Sequence, residues 1–374
     1  MILSDDGAFT AAYPLPHSVD ELTAAWLTRA LRERFPAATV EAVEIVQVIR
    51  GTATKVRLRA HYACGAVTDG PPEMLCVKGG LDDRWRVKAL TRVVKSLGLL
   101  DPAKAYEVEV RFYNHLAPTI HASLPDCWFA GVDAQTGQGI LVLEDLVAAG
   151  VSFGDPTIAW RPERVAAALE VQAAWHAATW HATHETHPWV PQASVVRALT
   201  PVLLSRFNRA TFLRSPKAPT LVAPLNDRRR VAAAFSRMWE QHSAEATCIT
   251  HGDAHVGNAY VDAGGQPTFL DWQAMCFGPP LHDVAYFMTG ALATDDRRKH
   301  EKGLLDHYLA ALSAHGAPGP AHERAWDAYR RYSLHGFLWA VTPPVLQPWE
   351  NIRAMAQRHM AAIIDLDTFG ALGV

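Results

Sequence analysis

Asp253 and Asn258 stand five positions apart in the run His251-Gly252-Asp253-Ala254-His255-Val256-Gly257-Asn258, and Asp271 follows Asp253 by eighteen. A carboxylate, an amide and a second carboxylate at these offsets suit phosphoryl transfer. The first acid can orient a hydroxyl and take its proton. The amide oxygen and the second acid can hold a hard cation such as Mg²⁺. Asp271 ends the short apolar run Phe269-Leu270, so a strand delivers it. The chemistry implied is transfer of the γ-phosphate of ATP to an alcohol, with Asp253 as catalytic base and Asn258 and Asp271 as Mg²⁺ ligands.

Such a loop needs a grip on the nucleotide upstream. Leu75-Cys76-Val77-Lys78 puts a lysine at the end of the third apolar strand, where it can reach phosphate oxygens. That lysine needs a carboxylate partner on the next helix, and Glu107 and Glu109 are both candidates. Ala105, Glu109, Phe112 and Leu116 recur at helical spacing, which places Glu109 on an apolar stripe where an acid needs a cation. Glu107 falls beside Arg111 and Asn114 on a wetter face. The turn Ile49-Arg50-Gly51-Thr52-Ala53-Thr54-Lys55 joins two strands ahead of Lys78, and Gly51 and Thr52 are candidate phosphate contacts through backbone N–H groups. Leu141-Val142-Leu143-Glu144-Asp145-Leu146 is a strand running into a polar segment. Glu144, Asp145 and Leu146 are therefore candidates for reading the adenine edge through backbone carbonyl and amide groups.

The elements that must position these residues form two regions. A capping box, Ser18-Val19-Asp20-Glu21, opens a helix to about Phe35. Strands follow at Val43 to Ile49, Val56 to Tyr62 and Met74 to Lys78. Helices are predicted over Asp82 to Leu99 and from Asp101-Pro102 to Leu116, then strands near Trp128 to Val132 and at Ile140 to Leu143. Beyond Gly150 the pattern is mainly helical. The predicted organisation is an N-terminal lobe over 1–143, a hinge over 144–150 and a helical C-terminal lobe over 151–374.

Composition sets the broad class. A chain of 374 residues exceeds one ordinary domain, which favours two lobes. Hydrophobic residues make up 49% and charged residues 20%, enough for a sizeable core. The net charge of -3 argues against nucleic acid as a partner. No apolar run reaches the length of a membrane span, and the N-terminus lacks the pattern of a signal peptide. Cys64, Cys76, Cys127, Cys248 and Cys276 form no C-x-x-C pair and read as reduced thiols in a cytoplasmic protein.

On these residues the chain resembles the aminoglycoside phosphotransferase and choline kinase superfamily. Within it, His251-Gly252-Asp253-Ala254-His255, Asp271-Trp272-Gln273, Glu109-Val110-Arg111-Phe112-Tyr113 and Leu143-Glu144-Asp145-Leu146 look most like the ecdysteroid kinase-like branch and its bacterial relatives. The resemblance covers about residues 40 to 340. It implies an α+β, two-lobed protein-kinase-like fold, with a small antiparallel-sheet lobe and a larger, mainly helical one. It implies Asp253 as base, Asn258 and Asp271 on Mg²⁺, and Lys78 with Glu109 at the phosphates of ATP. It further implies that Asp283, after Pro279-Pro280, braces the catalytic loop. His251 and His255 are read as supporting residues. Two departures stand out: the glycine-poor turn at Gly51, and Trp272-Gln273 where protein kinases carry Phe-Gly. No Ala-Pro-Glu segment follows Asp271, so a protein substrate is not expected.

Other readings use the same residues. His251, Asp253 and His255 with Asp271 and Asp283 could serve a metallohydrolase, but that leaves Lys78, Glu109 and the hinge strand without work. A non-catalytic nucleotide-binding scaffold conflicts with an intact set of lysine, base and metal ligands. His176, His181, His184 and His187 are closely spaced, yet with spacings of five, three and three only some can share one helical face; they read as the polar end of a helix stopped by Pro188. The acceptor is expected to be a small-molecule alcohol bound near Ser313 to Pro348, with Trp85, Trp339 and Trp349 as possible apolar walls. The absence of a dense acidic cluster in the C-terminal helices weighs against an aminoglycoside; a choline-type amine stays open.

Overall fold

The computed structural model describes residues 2–3, 9–10, 13–51, 53–63, 70–81, 102–120, 123–133 and 135–374. Thr52, Trp85, Cys64 and the helix predicted over Asp82 to Leu99 lie outside the described residues. The chain divides into two compact units: Met1–Thr119 with Ser123–Val151, and Ile120–Ala122 with Ser152–Val374.

The first unit is organised by a sheet. Its strands are β1 (Ile2–Leu3), β2 (Phe9–Thr10), β3 (Val40–Ile49), β4 (Thr54–Tyr62), β5 (Met74–Gly79), β6 (Cys127–Asp133) and β7 (Gln138–Glu144), with helices α1 (Ala24–Arg32) and α2 (Pro102–Arg111) in the connections. The spatial order is β1-β2-β6-β7-β5-β4-β3. Neighbours pair antiparallel except β2 and β6, which run parallel. Side chains alternate along a strand, and this sorts the two faces. Val56, Leu58, Ala60, Leu75 and Val77 join Trp26, Leu27 and Leu31 of α1 in the core. Lys55, Arg57 and Arg59, opposite Lys78, Cys76 and Met74, take the other face.

Two predicted boundaries move. The capping box placed a helix start at Ser18, but Val19–Glu21 is one 3₁₀ turn and Ser18 makes no side-chain cap. The Glu21 carboxylate accepts from the His17 N–H at 2.8 Å, and Leu22 is buried. Helix α1 starts instead at Ala24, where the Thr23 hydroxyl caps the Trp26 N–H. The helix predicted to reach Leu116 is α only to Arg111, then widens into a π turn over Phe112–Leu116.

The second unit is mainly helical: α3 (Pro162–Ala178), α4 (Val195–Leu203), α5 (Arg206–Phe212), α6 (Arg228–Ala244), α7 (Pro280–Ala291), α8 (Thr294–Ala314), α9 (His322–Tyr332), α10 (Leu338–Val341), α11 (Trp349–Asp365) and α12 (Thr368–Leu372). Short strands lie among them: β8 (Ser152–Phe153), β9 (Cys248–Thr250), β10 (Ala259–Val261), β11 (Pro267–Phe269) and β12 (Cys276–Gly278). Strand β10 pairs with β8 and β11, and β9 pairs with β12, all antiparallel. Every residue of α7 is buried, as a helix at the centre of a unit must be. Helix α3 ends at Ala178, ten residues before Pro188. The Thr179 hydroxyl donates to the Trp175 carbonyl and accepts from the Ile249 N–H, tying that helix end to β9.

The architecture is α+β and protein-kinase-like in element order: three antiparallel strands, a helix, two more strands, then a larger helical unit. No described helix is long and apolar enough to cross a membrane. Cys76, Cys127, Cys248 and Cys276 are free thiols.

Candidate active site

In the first unit, Lys78 Nζ stands 2.7 Å from both Glu109 carboxylate oxygens. Both side chains are buried, so neither charge is supported by bulk water and each depends on the other. Glu107 instead meets Arg111 at 2.7 Å. The apolar stripe on α2 decides between the two acids, because only the inward one can reach a lysine on β5.

Gly51, in the turn after β3, has an ordinary backbone. Its φ is not positive, and a Cβ there would meet only the Ala53 carbonyl, at 3.4 Å. Backbone amides converge on an anion through left-handed residues, and Gly51 supplies none. The Asp145 carboxylate is taken up within the fold. Arg57 Nε holds both oxygens at 3.0 and 2.9 Å, and the Val147 and Ala148 N–H groups donate to Oδ1. The Asp145 carbonyl accepts from Ala149, and the Glu144 N–H donates to the Asp126 carbonyl. The Leu146 N–H has no hydrogen-bond partner among the described residues.

In the second unit the loop between β9 and β10 is held from three sides. Asp283, on the first turn of α7, accepts the His251 N–H at 2.6 Å and the Gly252 N–H at 3.0 Å. His176 Nε2 lies 3.3 Å from the same carboxylate, and its Nδ1 contacts the Tyr308 hydroxyl at 2.9 Å. Burial would raise the Asp283 carboxyl, but hydrogen bonds from His176 and His282 outweigh it and hold the group well below the usual carboxylate range. Asp283 is thus an ionised anchor. His176 is the one member of the spaced histidines that enters this site; His181 and His184 are exposed on the segment after α3.

Gly252 is required by geometry. Its φ is +77°, and a Cβ would sit 2.2 Å from the Ala274 carbonyl oxygen. This tight turn carries Asp253 out of β9. His251 then works with both ring nitrogens: Nδ1 accepts the Asp253 N–H at 3.3 Å, and Nε2 donates to the Leu270 carbonyl at 3.1 Å. That second bond links the loop to the residue before Asp271. Asp271 itself is left-handed, with φ +71°, a conformation that costs a non-glycine residue about 1–2 kcal/mol and so marks a constrained position.

Both oxygens of Asp253 are addressed. Oδ1 accepts from the Tyr286 hydroxyl at 3.3 Å, and Oδ2 from Asn258 Nδ2 at 3.2 Å. Asn258 Nδ2 also donates to the Asp253 carbonyl, which leaves its Oδ1 as the atom that can meet a cation. His255 Nδ1 accepts the Gly257 N–H at 3.0 Å, so the neutral ring carries its proton on Nε2, 3.7 Å from Asp253. Burial and the nearby His251 push its pKa down to about 3, which keeps it uncharged. Withdrawal from water, and then the charge of Asp271, push the Asp253 carboxyl up to about 8. The side chain keeps 33% exposure, so solvent access persists on one side.

Tyr286 and Trp339 have no signal in the sequence motifs. Tyr286 comes from α7, one turn beyond Asp283, and Trp339 from α10; the Trp339 indole N–H donates to the Tyr286 hydroxyl at 2.8 Å. Trp339 is buried, and it holds the tyrosine rather than standing as an open apolar wall. Burial and the Asp253 charge push the Tyr286 hydroxyl well above its ordinary range, so it stays a donor.

The donor set fits Mg²⁺. It is all oxygen, as a hard cation prefers, and the mutual repulsion of Asp253 and Asp271 is what a cation relieves. Among the described residues no group of three or more His, Cys, Asp or Glu side chains converges as a metal site, and His251 is spent on backbone groups. A cavity of about 760 Å³ lies elsewhere in this unit, lined by Trp180, Glu245, Pro280, Glu323, Asp327 and Arg331 among others. Arg331 occupies Glu245 at 2.7 Å and Asp327 at 3.0 Å, and none of the loop residues lines it.

The sequence model of the ecdysteroid kinase-like family matches residues 85–317. No curated protein sequence matches. Solved structures are similar at low identity. An aminoglycoside phosphotransferase determined with GDP and kanamycin is 13% identical, over 92% of this chain and 98% of that one, with a TM-score of 0.48. Ethanolamine kinase of Plasmodium vivax is 11% identical, over 87% and 81%, with a TM-score of 0.46. The macrolide 2'-phosphotransferase of Brachybacterium faecium is 18% identical, over 86% and 98%, with a TM-score of 0.44.

Proposed function

Because this chain belongs to the ecdysteroid kinase-like family of small-molecule phosphotransferases, we propose that it transfers the γ-phosphate of ATP to a hydroxyl of a small-molecule acceptor, with Mg²⁺. The observation that carries this reading is how the loop distributes its donors. Tyr286 and Asn258 orient the Asp253 carboxylate, both bonds of Asn258 use Nδ2 and leave Oδ1 to meet a cation, and the Asp271 charge bears on Asp253.

In this reading Asp253 orients the acceptor hydroxyl and accepts its proton. The acceptor oxygen forms a bond to the γ-phosphorus, the bond from that phosphorus to the bridging oxygen breaks, and ADP leaves with the electron pair. Mg²⁺ on Asn258 and Asp271, when bound, neutralises charge on the phosphate oxygens. Lys78, oriented by Glu109, adds a fixed positive charge in a buried setting. The Leu146 N–H offers a donor to the adenine edge. Little covalent work falls to the protein, so positioning and charge carry the rate.

The test is nucleotide consumption by the purified protein over a panel of hydroxylated amines, aminoglycosides, sugars and apolar alcohols, with ATP or GTP, with and without Mg²⁺. A phosphorylated acceptor formed only with Mg²⁺ is the expected result. If the protein binds neither nucleotide, the reading is wrong.

Once an acceptor is known, Tyr286→Phe is expected to lower kcat about tenfold, equivalent to ~1.4 kcal/mol in the barrier, with the nucleotide KM unchanged. The variant keeps the ring but loses the bond to Asp253 Oδ1 and strands the Trp339 N–H. A raised nucleotide KM at constant kcat would assign Tyr286 a different role.

A further inference from the structure

The chain has a net charge of -3, yet the twenty-five residues from Arg206 to Arg230 hold seven Lys and Arg residues and a single acid, Asp227. The fold brings much of this charge to one surface of the second unit. Helix α5 is fastened on its inner side by Asn208, whose Nδ2 donates to the Leu203 and Val341 carbonyls, each at 2.7 Å. On the outer side Arg206, Phe207, Ala210 and Thr211 are exposed, and Arg214 continues that face. Arg209 Nη2 donates to the Asn226 carbonyl at 3.0 Å, which lays the start of α6 beside α5. Burial, and then the charge of Arg228, lower the Arg209 pKa, with Asp227 opposing. The cations of the two helices are therefore neighbours.

The fold does not answer them. Asp227 caps α6, its carboxylate accepting the Arg229 and Arg230 N–H groups. Among the described residues, the side chains of Arg206, Arg209, Arg214, Lys217, Arg228 and Arg229 form no salt bridge; the first arginine of α6 that does is Arg237, with Glu240 at 3.3 Å. Apolar side chains stand between these charges. Phe207 is 80% exposed, the most open large apolar side chain among the described residues, and Val222 is 46% exposed. The Val222 carbonyl accepts the Asn226 N–H, so that residue lies one turn from the start of α6. A nucleic acid would satisfy the guanidiniums through its phosphates but would offer an exposed valine nothing. Cations that seek phosphate, interleaved with apolar groups that seek hydrocarbon, match the boundary of an anionic bilayer.

We propose that the face formed by α5 and the start of α6 docks on an anionic lipid surface, with its arginines on the headgroups and Phe207 inserted at the acyl boundary. Such a contact is peripheral and needs no spanning helix. It stands independently of the phosphotransfer reading.

The test is sedimentation of the full-length protein with vesicles of phosphatidylcholine alone or with one third phosphatidylserine, at low and high salt. Wild type is expected to bind the phosphatidylserine vesicles, to ignore phosphatidylcholine, and to dissociate as salt rises. Phe207→Ser should weaken vesicle binding about tenfold, and Phe207→Trp should keep it. The double variant Arg206→Gln with Arg229→Gln should lose about 30-fold, at roughly fivefold for each cation near an anionic surface. Lys299→Gln with Arg324→Gln removes the same charge from exposed sites on α8 and α9 and should match wild type. All variants should unfold at the wild-type temperature, since the changed side chains are exposed. No binding to phosphatidylserine vesicles, or equal binding to phosphatidylcholine, would overturn the proposal. So would affinity within twofold of wild type in either Phe207→Ser or the Arg206–Arg229 variant, or an equal loss in the Lys299–Arg324 control. A lowered unfolding temperature in Phe207→Ser without rescue by tryptophan would assign the loss to folding and sink it as well. Duplex RNA that binds more tightly than the vesicles would give the face to a nucleic acid instead.

Discussion

Asp253→Asn is expected to abolish turnover and to leave the protein more resistant to heat than wild type. The loss follows from the role of the carboxylate: a positioned general base contributes about 10²- to 10⁴-fold, and an amide cannot take a proton from the acceptor. The gain follows from the electrostatics of the loop. Withdrawal from water, and then the Asp271 charge, raise Asp253 to about 8, against an ordinary 3.8. A carboxyl whose folded pKa is raised costs stability when it ionises, and the cost grows as pH climbs from about 4 to about 8. Asparagine removes that cost. With a side chain 33% exposed, solvent screening reduces the gain to about 1 kcal/mol, or ~2 °C in a unit of this size. The asparagine amide gives up one contact with Asn258, whose Nδ2 keeps its bond to the carbonyl of residue 253. Thermal unfolding in EDTA at pH 5, 7 and 8.5 reads this directly. The difference should widen with pH and shrink when Mg²⁺ is added, because a cation compensates the same repulsion. A variant less stable than wild type at every pH would sink the electrostatic account.

The second large effect falls on the buried pair of the first unit. Lys78→Met is expected to destroy activity and to lower stability by about 3–5 kcal/mol, since Glu109 loses the cation that justified its burial. Activity alone would not separate chemistry from folding. The double variant Lys78→Met with Glu109→Leu does: two apolar side chains of suitable volume can replace a buried ion pair at little cost. Its unfolding midpoint is expected to recover to near that of wild type while phosphoryl transfer stays undetectable. Recovery of both would show that the pair is only structural. Lys78→Arg should also fail, because the larger planar guanidinium does not fit a site where one ammonium sits 2.7 Å from both oxygens of one carboxylate.

Much of this was readable in the chain because it is local. The loop from His251 to Asn258 places its functional groups within a few residues of one another, and β10 and β11 carry it to Asp271. Helical periodicity was enough to turn Glu109 inward and Glu107 outward, because an apolar stripe is a property of spacing.

Other features were misread or unseen for an equally physical reason. Nothing in the sequence signalled that the Asp145 carboxylate would pair with Arg57, 88 positions earlier. Ser18 had the pattern of a cap, yet the helix starts at Ala24 with Thr23 as its cap. His176 looked like part of a polar helix end and is a buried partner of Asp283, 107 positions away.

The sequence by itself determined most of the elements, the spacing of Asp253, Asn258 and Asp271, and which of Glu107 and Glu109 turns inward, because these depend on near neighbours and on backbone period. Only the tertiary structure decided what touches Asp253 from α7, what holds Asp283 from α3, and which lysine lies opposite Lys78. Those contacts join residues that are far apart along the chain, and no local period encodes them; they arise when sheet register and helix packing close.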